Sequence, residues 1–279
     1  MNLLGIIEEI EKVDPEFQDR ISPRRAAIRN ITSFGSKVAV AALPFAFSTL
    51  FDKAYGQAPS QTIIDTLNYA LKLEYLEAAF YNAGVASNLA FSASEKAYLV
   101  TIQGHENAHV AFLKTVLSTN AVAQSTQGTN GVYDFTAGGT FPTVLTNVDT
   151  FFAVAQAFED TGVRAYKGAA PNLIGQQVYL TAALNIHSVE ARHASAVRQI
   201  RRLRGAATTK PWITGANDTG IAAVNGNYAG EDNVVQGGVT ITGLAGVSGN
   251  VALNAATEAF DEPLTSAQVV ALVAPFGVK

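Results

Sequence analysis

The stretch LEYLEAAFY at residues 73–81, followed by HENAH at 105–109, has a second copy in FEDTGVRAY at 158–166 and IHSVEARHA at 186–194. Each copy contains a glutamate, a tyrosine seven residues later, and then a Glu-x-x-His pair. On a helix, residues three apart lie on the same face, so each Glu-x-x-His pair presents a carboxylate beside an imidazole. The repeat therefore predicts two similar halves of one site.

The two copies together supply six side chains of the types that bind transition metals. They are Glu74, Glu106, His109, Glu159, Glu190 and His193. Two Glu-x-x-His pairs and two single glutamates on four helices are the ligand set of a dinuclear iron or manganese centre inside a four-helix bundle. We therefore predict two Fe or Mn ions as cofactor, although the same ligand types are compatible with zinc. In the predicted centre Glu106 and Glu190 bridge the ions, Glu74 and His109 bind one ion, and Glu159 and His193 bind the other.

Apolar residues recur at helical spacing around these motifs and predict four helices. Their expected bounds are Thr62 to about Gly84, Ser92 to about Leu117, about Thr150 to Gly168, and about Gly175 to Leu203. The second helix is expected to begin with the capping box Ser92-Ala93-Ser94-Glu95. The four glutamates lie on stripes of apolar residues, so they are expected to face the core, where unpaired carboxylates cost several kcal/mol each. Bound dications remove that cost. The alternative is that these stripes face solvent and the glutamates are hydrated.

The connections between the predicted helices indicate the topology. Short connections join helix 1 to helix 2 and helix 3 to helix 4, whereas a long polar segment at about 120–148 separates the two pairs. The sequence therefore predicts a mainly α fold, a four-helix bundle over residues 59–204 with a long crossover between helices 2 and 3. A glycine-rich C-terminal appendage, residues 205–279, follows the bundle.

Three local signals predict structure inside the appendage. Asn225-Gly226 indicates a hairpin turn, and the residues 239–242 (VTIT) indicate a short strand. Thr265 follows Pro263 and is the expected N-cap of a C-terminal helix. We expect that helix to pack back on the bundle.

Residues 1–58 have features of an export signal. Arg24 and Arg25 precede an apolar stretch from Val38 to Phe51, which is too short to span a bilayer. This pattern predicts a twin-arginine-like signal, a periplasmic or extracellular location and no stable membrane span. The match is imperfect because Pro23 directly precedes the arginine pair. The alternative is that residues 1–58 form an N-terminal docking segment.

Composition excludes several classes of function. The net charge of −4 and the pI of about 5.6 give no electrostatic footprint for nucleic acid. The one basic cluster closes helix 4 and is interpreted as a solvated C-terminal turn; its members are Arg198, Arg201, Arg202 and Arg204. Cysteine is absent, which excludes disulfides, thiol nucleophiles and iron–sulfur clusters. The expected partners are metal ions with peroxide or oxygen, and a homo-oligomer is compatible with the sequence.

Further polar residues accompany the six predicted ligands. Glu77 is interpreted either as an outer carboxylate of the centre or as a salt-bridged surface residue. His105 and His187 are expected beside the ligand stripes, as supporting or structural histidines. Asp160 is expected next to the centre or at the surface. Tyr81 and Tyr166, one in each repeat, are expected to be buried with their hydroxyls on ligand carboxylates, and a redox role is the alternative.

These motifs resemble those of the ferritin-like superfamily. The chain is similar in particular to the bacterial ferritin-like domain proteins that include desiccation-related proteins, with further likeness in YDFTAGG at 133–139 and FDEPLT at 260–265. The resemblance covers about residues 60–276. It implies a bundle with a diiron or dimanganese centre whose ligands are the six residues above. The family's reaction is not well defined, so the resemblance implies a site more clearly than an activity.

The functional hypothesis is a dinuclear iron or manganese oxidoreductase that acts on peroxide or oxygen, with catalase-like or ferroxidase-like chemistry. Storage ferritins generally keep one Glu-x-x-His motif, whereas this chain has two. It also lacks the cysteines of a rubredoxin-type electron donor, and peroxide disproportionation needs no such donor. Two alternatives stay open. One is a metal-binding or storage protein without turnover, and the other is an exported structural or surface protein with a structural metal site.

Overall fold

Four long helices make up most of the structure, a computed structural model that describes residues 59–128, 132–206, 208–216 and 219–279. The helices are α1 Gln61–Ala86, α2 Ala93–Leu117, α3 Val148–Ala169 and α4 Gln177–Leu203. The prediction of a mainly α fold built on a helical bundle is confirmed. The prediction of an export signal or docking segment at residues 1–58 lies outside the described residues. None of the helices in the described part of the chain has the length and apolar character needed to span a bilayer.

The four helices form two antiparallel hairpins, α1 with α2 and α3 with α4. In the first hairpin, Ser92 caps α2 as the sequence predicts, since its backbone N–H donates to the Glu95 carboxylate over 2.7 Å and its hydroxyl accepts from the Glu95 N–H. In the second hairpin, Arg204 after α4 contacts Asp149 at the start of α3, with 2.5 Å between Nε and Oδ1. Asn68 near the start of α1 likewise donates to the carbonyl of Asn120 just after α2, over 2.9 Å, so the two helices of each pair run in opposite directions.

The connection between α2 and α3 is the predicted long crossover, and it is held by the C-terminal end of the chain. The backbone N–H of Asp134 in the crossover donates to the carbonyl of Phe276 over 3.0 Å. The Phe276 ring also packs edge-on against Phe158 of α3, with 4.7 Å between the ring centroids. The C-terminal residues thus lie between the crossover and the bundle.

The appendage contains only short elements. In the described residues they are the 3-10 helices Ala222–Tyr228, Ile241–Gly243 and Ala274–Phe276, the strands β1 Val235–Gln236, β2 Val239–Thr240, β3 Ala245–Gly246 and β4 Gly249–Asn250, and the helices α5 Leu253–Glu258 and α6 Ser266–Val273. Strand β1 pairs with β2, and β3 with β4, both antiparallel. The strand predicted at 239–242 is present only over Val239–Thr240, as β2, because a 3-10 helix begins at Ile241. Thr265 is the N-cap of α6, as predicted, and forms a capping box with Gln268.

The hairpin predicted at Asn225-Gly226 is wrong, because these residues lie inside the 3-10 helix Ala222–Tyr228. Contact with the bundle fixes that helix, since Tyr228 is fully buried and its hydroxyl donates to Asp160 Oδ2 over 2.5 Å. The turn between β1 and β2 instead falls at Gly237 and Gly238. Their φ angles of 56° and 82° are those that a tight two-residue hairpin turn requires.

Two buried arginines attach the appendage to the bundle. Arg164 of α3 pairs with Glu231, with 2.7 Å between Nε and Oε1. Arg198 of α4 pairs with Asp160 over 2.7 Å and donates to the carbonyl of Trp212 over 3.1 Å. The interpretation of the basic cluster as a solvated turn is therefore wrong for Arg198, which is fully buried because the appendage covers it.

A close backbone approach at Gly168 provides a test of this docking. A Cβ atom at Gly168 would lie 1.9 Å from the carbonyl oxygen of Leu264, whose N–H donates to the Arg164 carbonyl over 3.1 Å. We expect Gly168→Ala to lower the free energy of unfolding by about 1–3 kcal/mol, because the appendage backbone must move. Urea unfolding followed by circular dichroism measures this change.

The matched control is Gly104→Ala, a glycine-to-alanine change at an exposed position of α2. Apart from the adjacent backbone of α2 itself, no atom of the described residues lies within 4 Å of where a Cβ atom would be at Gly104. We expect this variant to have a free energy of unfolding about 0.5–1 kcal/mol higher than wild type, since alanine is the better helix former. Equal stability of Gly168→Ala and wild type would show that the appendage does not dock at Leu264 in solution.

Candidate metal centre

The six side chains of the repeated motifs meet in the middle of the four helices. Glu74 comes from α1, Glu106 and His109 from α2, Glu159 from α3, and Glu190 and His193 from α4. All four glutamates have 0% exposed surface, and the two histidines are 8% and 4% exposed. The alternative in which these glutamates are hydrated at the surface is therefore excluded.

The ligand atoms form two overlapping groups, each compact enough for one metal ion. The first group, called here the Glu74 position, is Glu74, Glu106, His109 and Glu190. The second group, the Glu159 position, is Glu106, Glu159, Glu190 and His193. In each group one ligand atom per residue lies within 4.8 Å of all the others. Glu106 and Glu190 belong to both groups, which is the arrangement that two bridging carboxylates need.

The histidines face the glutamates through the same ring nitrogen in both groups. His109 Nδ1 is 3.1 Å from Glu74 Oε2 and 3.3 Å from Glu190 Oε1. His193 Nδ1 is 3.3 Å from Glu159 Oε2 and 2.9 Å from Glu106 Oε1. Each histidine thus faces the single glutamate of its own hairpin and the paired glutamate of the other hairpin. The two groups are related by an approximate two-fold symmetry that follows the sequence repeat.

Two buried tyrosines cross between the hairpins and hold the single glutamates. The Tyr81 hydroxyl donates to Glu159 Oε1, and the Tyr166 hydroxyl donates to Glu74 Oε1. The tyrosine of each repeat therefore contacts the single glutamate of the other repeat. This leaves Oε2 of both glutamates directed at the histidines, where a metal ion would lie.

Several buried polar atoms at the centre have no hydrogen-bond partner in the described part of the chain. They are both carboxylate oxygens of Glu106 and of Glu190, Oε2 of Glu159, and Nδ1 of His193. His109 Nδ1 makes a hydrogen bond with Glu74 Oε2, whereas the other histidine and carboxylate atoms approach to ion-pair distance without alignment for hydrogen bonds. Leaving such atoms buried and unsatisfied costs free energy, which a dication coordinated by them would remove. A donor set of carboxylate oxygens and imidazole nitrogens suits Fe²⁺ and Mn²⁺, so these residues fit a dinuclear metal centre.

The crowding of carboxylates changes the proton affinity of the cluster. Burial, helped by the charge of neighbouring glutamates, raises the pKa of Glu159 and of Glu190 to about 8 and that of Glu106 well above its usual value. Burial alone would also raise the pKa of Glu74, but the hydrogen bond and charge of His109 hold it below the usual value. Without metal the cluster therefore retains protons at neutral pH, and dications would displace them.

The two histidine ligands differ in protonation. Burial lowers the pKa of His193 to about 4. Burial acts in the same direction on His109, but the close carboxylates of Glu106, Glu190 and Glu74 outweigh it and raise the pKa of His109 above its usual value. In the metal-free protein at neutral pH, His193 is neutral and His109 carries the positive charge that partly balances the carboxylates.

Glu77 lies beside the centre and is only 4% exposed, so its interpretation as a surface residue is wrong. Its counterpart in the second repeat is Gly162, since each follows the single glutamate of its copy by three residues. A Cβ atom at Gly162 would lie 3.3 Å from Glu77 Oε1 and 3.4 Å from Glu190 Oε2. The missing side chain at Gly162 thus makes room for the carboxylate of Glu77.

The remaining candidates lie outside the two groups. His105 is exposed, and its Nδ1 is 2.9 Å from Nε2 of His193. Asp160 pairs with Arg198, and His187 is half-buried with its Nδ1 unpartnered among the described residues. The sequence did not predict the pairing of Asp160 with Arg198, because a separation of 38 positions leaves no local signal.

Comparison with known proteins agrees with this geometry. A family model described as the ferritin-like domain matches residues 62–202, which is about half of the chain and contains all six side chains of the centre. No curated protein and no solved structure gives a significant match. The matched region includes α1 to α4 with both copies of the repeat. The chain therefore belongs to the ferritin-like domain family.

Proposed function

We propose that this chain is a dinuclear iron or manganese protein that acts on peroxide or oxygen, with catalase-like or ferroxidase-like activity. The observation that supports this most directly is the pair of buried ligand groups that share Glu106 and Glu190, with carboxylate atoms that no described residue satisfies. When bound, two Fe or Mn ions supply electrons one at a time, which suits the making or breaking of an oxygen–oxygen bond. Membership of the ferritin-like family adds support.

The protein's own residues bind the ions and exclude water from the centre. The four glutamates have no exposed surface, so charges inside interact more strongly than they would in water. Burial and the neighbouring carboxylates raise the pKa of Tyr81 and of Tyr166 well above the usual value. Both hydroxyls therefore keep their protons at neutral pH and remain donors to Glu159 and Glu74. They fix the orientation of these two carboxylates, whose opposite oxygens face His109 and His193 and would be free to hold an ion.

Among the candidate substrates, peroxide is the one whose reaction needs no external electron donor. In its disproportionation one peroxide is oxidised to oxygen while another is reduced to water, so the electrons balance within the pair of substrate molecules. The chain has no cysteine to ligate a rubredoxin-type iron that would deliver electrons. The absence of such a donor favours peroxide as substrate over oxygen in reactions that require an external reductant. Ferroxidase chemistry also needs no external donor, because Fe²⁺ itself supplies the electrons.

One preparation tests the proposal. Protein purified from its own host is analysed for metals, and the same sample is assayed for peroxide consumption and oxygen release. We expect about two Fe or Mn ions per chain and one oxygen released for each two peroxides consumed. If peroxide is inert, Fe²⁺ oxidation is measured next. Two ions without either turnover would contradict an enzyme and support a storage or structural role.

A further inference from the structure

The two halves of the centre are not identical, although the repeat relates them closely. The tyrosine and histidine contacts come in matched pairs that cross between the hairpins. A fully symmetric site would give the Glu74 position and the Glu159 position equal affinity for a dication. Departures from the repeat close to the ligands therefore indicate where the two affinities differ.

The symmetry is broken at the residue just before each paired glutamate. His105 precedes Glu106, whereas Val189 precedes Glu190. The His105 ring stacks on His193 at 5.2 Å between centroids, and 2.9 Å separates His105 Nδ1 from His193 Nε2. Val189 offers no polar atom, and Nε2 of His109 has no hydrogen-bond partner among the described residues. The His193 ring is thus held through Nε2, which leaves Nδ1 free for an ion, whereas the His109 ring is held through Nδ1, the nitrogen that faces the carboxylates.

The contact of His105 matters for a metal ligand. If His193 binds an ion through Nδ1, its proton must lie on Nε2, and that N–H then donates to Nδ1 of His105. Such a partner fixes the tautomer and the ring orientation and increases the basicity of the ligating nitrogen. Loss of a partner of this kind typically weakens metal binding by about 10- to 100-fold.

Glu77 breaks the symmetry on the same side. Its carboxylate and Glu190 Oε2 both border the space above Gly162, at 3.3 and 3.4 Å from a Cβ placed there. Glu190 Oε2 is the oxygen that faces His193 at 3.9 Å, whereas Oε1 faces His109 at 3.3 Å. The additional carboxyl group of Glu77 therefore lies on the side of the Glu159 position, as His105 does.

We propose that the two metal positions are unequal, and that the Glu159 position binds its dication more tightly because His105 orients the His193 ring. His105 is exposed, belongs to neither ligand group and contacts His193, so it is a positioning residue and not a ligand. The inference rests on the proposed dinuclear centre. It adds an order of filling, with the Glu159 position first and the Glu74 position second.

The test is a titration of metal-free protein, prepared with a chelator, with Co²⁺ as a spectroscopic probe under anaerobic conditions. Wild type is expected to show two steps of about one ion each, with the first at least about tenfold tighter. His105→Val, which copies the residue of the other repeat, should weaken the first step by about 10- to 100-fold and leave the second unchanged. His105→Asn should restore part of the loss, because its side-chain oxygen can accept from Nε2–H.

Three further variants complete the experiment. Val189→Ala is the matched control at the symmetric position and should leave both steps unchanged. Glu159→Gln should remove the tighter step and Glu74→Gln the weaker one, which assigns each step to a position. Circular dichroism checks that every variant keeps its helices.

The outcomes separate this inference from the proposed function. Two indistinguishable steps in wild type, an unchanged first step in His105→Val, or equal weakening of both steps would overturn the inference and leave the dinuclear centre in place. Loss of the tighter step in Glu74→Gln instead of Glu159→Gln would also overturn it. A wild-type protein that binds no Co²⁺, Fe²⁺ or Mn²⁺ would contradict the dinuclear centre itself.

Discussion

Replacing Glu106 and Glu190 together by glutamine is expected to abolish the binding of both ions and any peroxide turnover. These two residues are the members that the two ligand groups share, so each ion loses two of its four side chains. Glutamine keeps the volume of glutamate and removes its charge, so the helices should remain. Metal analysis after dialysis, peroxide consumption and circular dichroism measure the three effects. The loss should exceed the roughly 10- to 100-fold effect of removing an outer partner such as His105.

The stability of this double variant separates a metal centre from a structural cluster. Without metal, the variant should be more stable than metal-free wild type, because it removes two carboxyl groups that are buried and unpartnered among the described residues. The matched control is Glu231→Gln, a buried glutamate outside both groups that pairs with Arg164. That control should keep both ions and lose stability. A double variant that still binds two ions would show that the centre lies elsewhere, and one that loses metal but keeps turnover would place the chemistry elsewhere.

The centre was predictable from sequence because its signals are local and repeated. Glu106 and His109 are three residues apart, so any helix places them on one face, and the apolar residues at the same spacing show which face is buried. The second copy at Glu190 and His193 supplies the other half. The capping residues Ser92 and Thr265 could also be predicted from the sequence, since each cap is formed by residues only three positions apart.

Every feature that the sequence failed to predict depends on contacts between residues that are distant in sequence. The apolar stripe of α3 predicts one buried face, yet every residue from Phe151 to Tyr166 is buried. The crossover and the appendage cover the other faces, through pairs such as Arg164 with Glu231. The role of His105 was unpredictable for the same reason. Its position beside the ligand stripe was expected, but its contact with His193 joins two different hairpins and leaves no trace in local spacing.

The stability of the metal-free protein is expected to fall as the pH rises from about 6.5 to about 8. Glu159 and Glu190 have a usual pKa of 4.5 in the unfolded chain and a pKa of about 8 in the folded protein. Between these values the folded state binds more protons than the unfolded state, so the free energy of unfolding decreases with rising pH. Two such groups contribute about 2–4 kcal/mol across this window.

The other titrating groups explain why the expected decline in stability begins near pH 6.5. The raised pKa of His109 acts in the same direction above 6.5, because its stabilising proton is lost as the pH rises toward the folded value. The lowered pKa of Glu74 acts in the opposite direction only below 4.5, and that of His193 only between about 4 and 6.5. Glu231, whose burial raises its pKa to about 7, adds to the decline up to that pH.

Metal is expected to reverse this dependence. Bound dications displace the protons of the centre and bind only the folded state, which adds about 4 kcal/mol per ion when free metal is 1,000-fold above the dissociation constant. Because proton release makes metal binding stronger at higher pH, the loaded protein should keep or gain stability where the metal-free protein loses it. Urea unfolding of both forms between pH 6.5 and 8 measures the difference. In Glu106→Gln/Glu190→Gln the decline should be shallower and added metal should have no effect. A flat profile for metal-free wild type would mean that the carboxyl groups of Glu159 and Glu190 are already ionised in the folded protein, and hence that water or another cation reaches the centre.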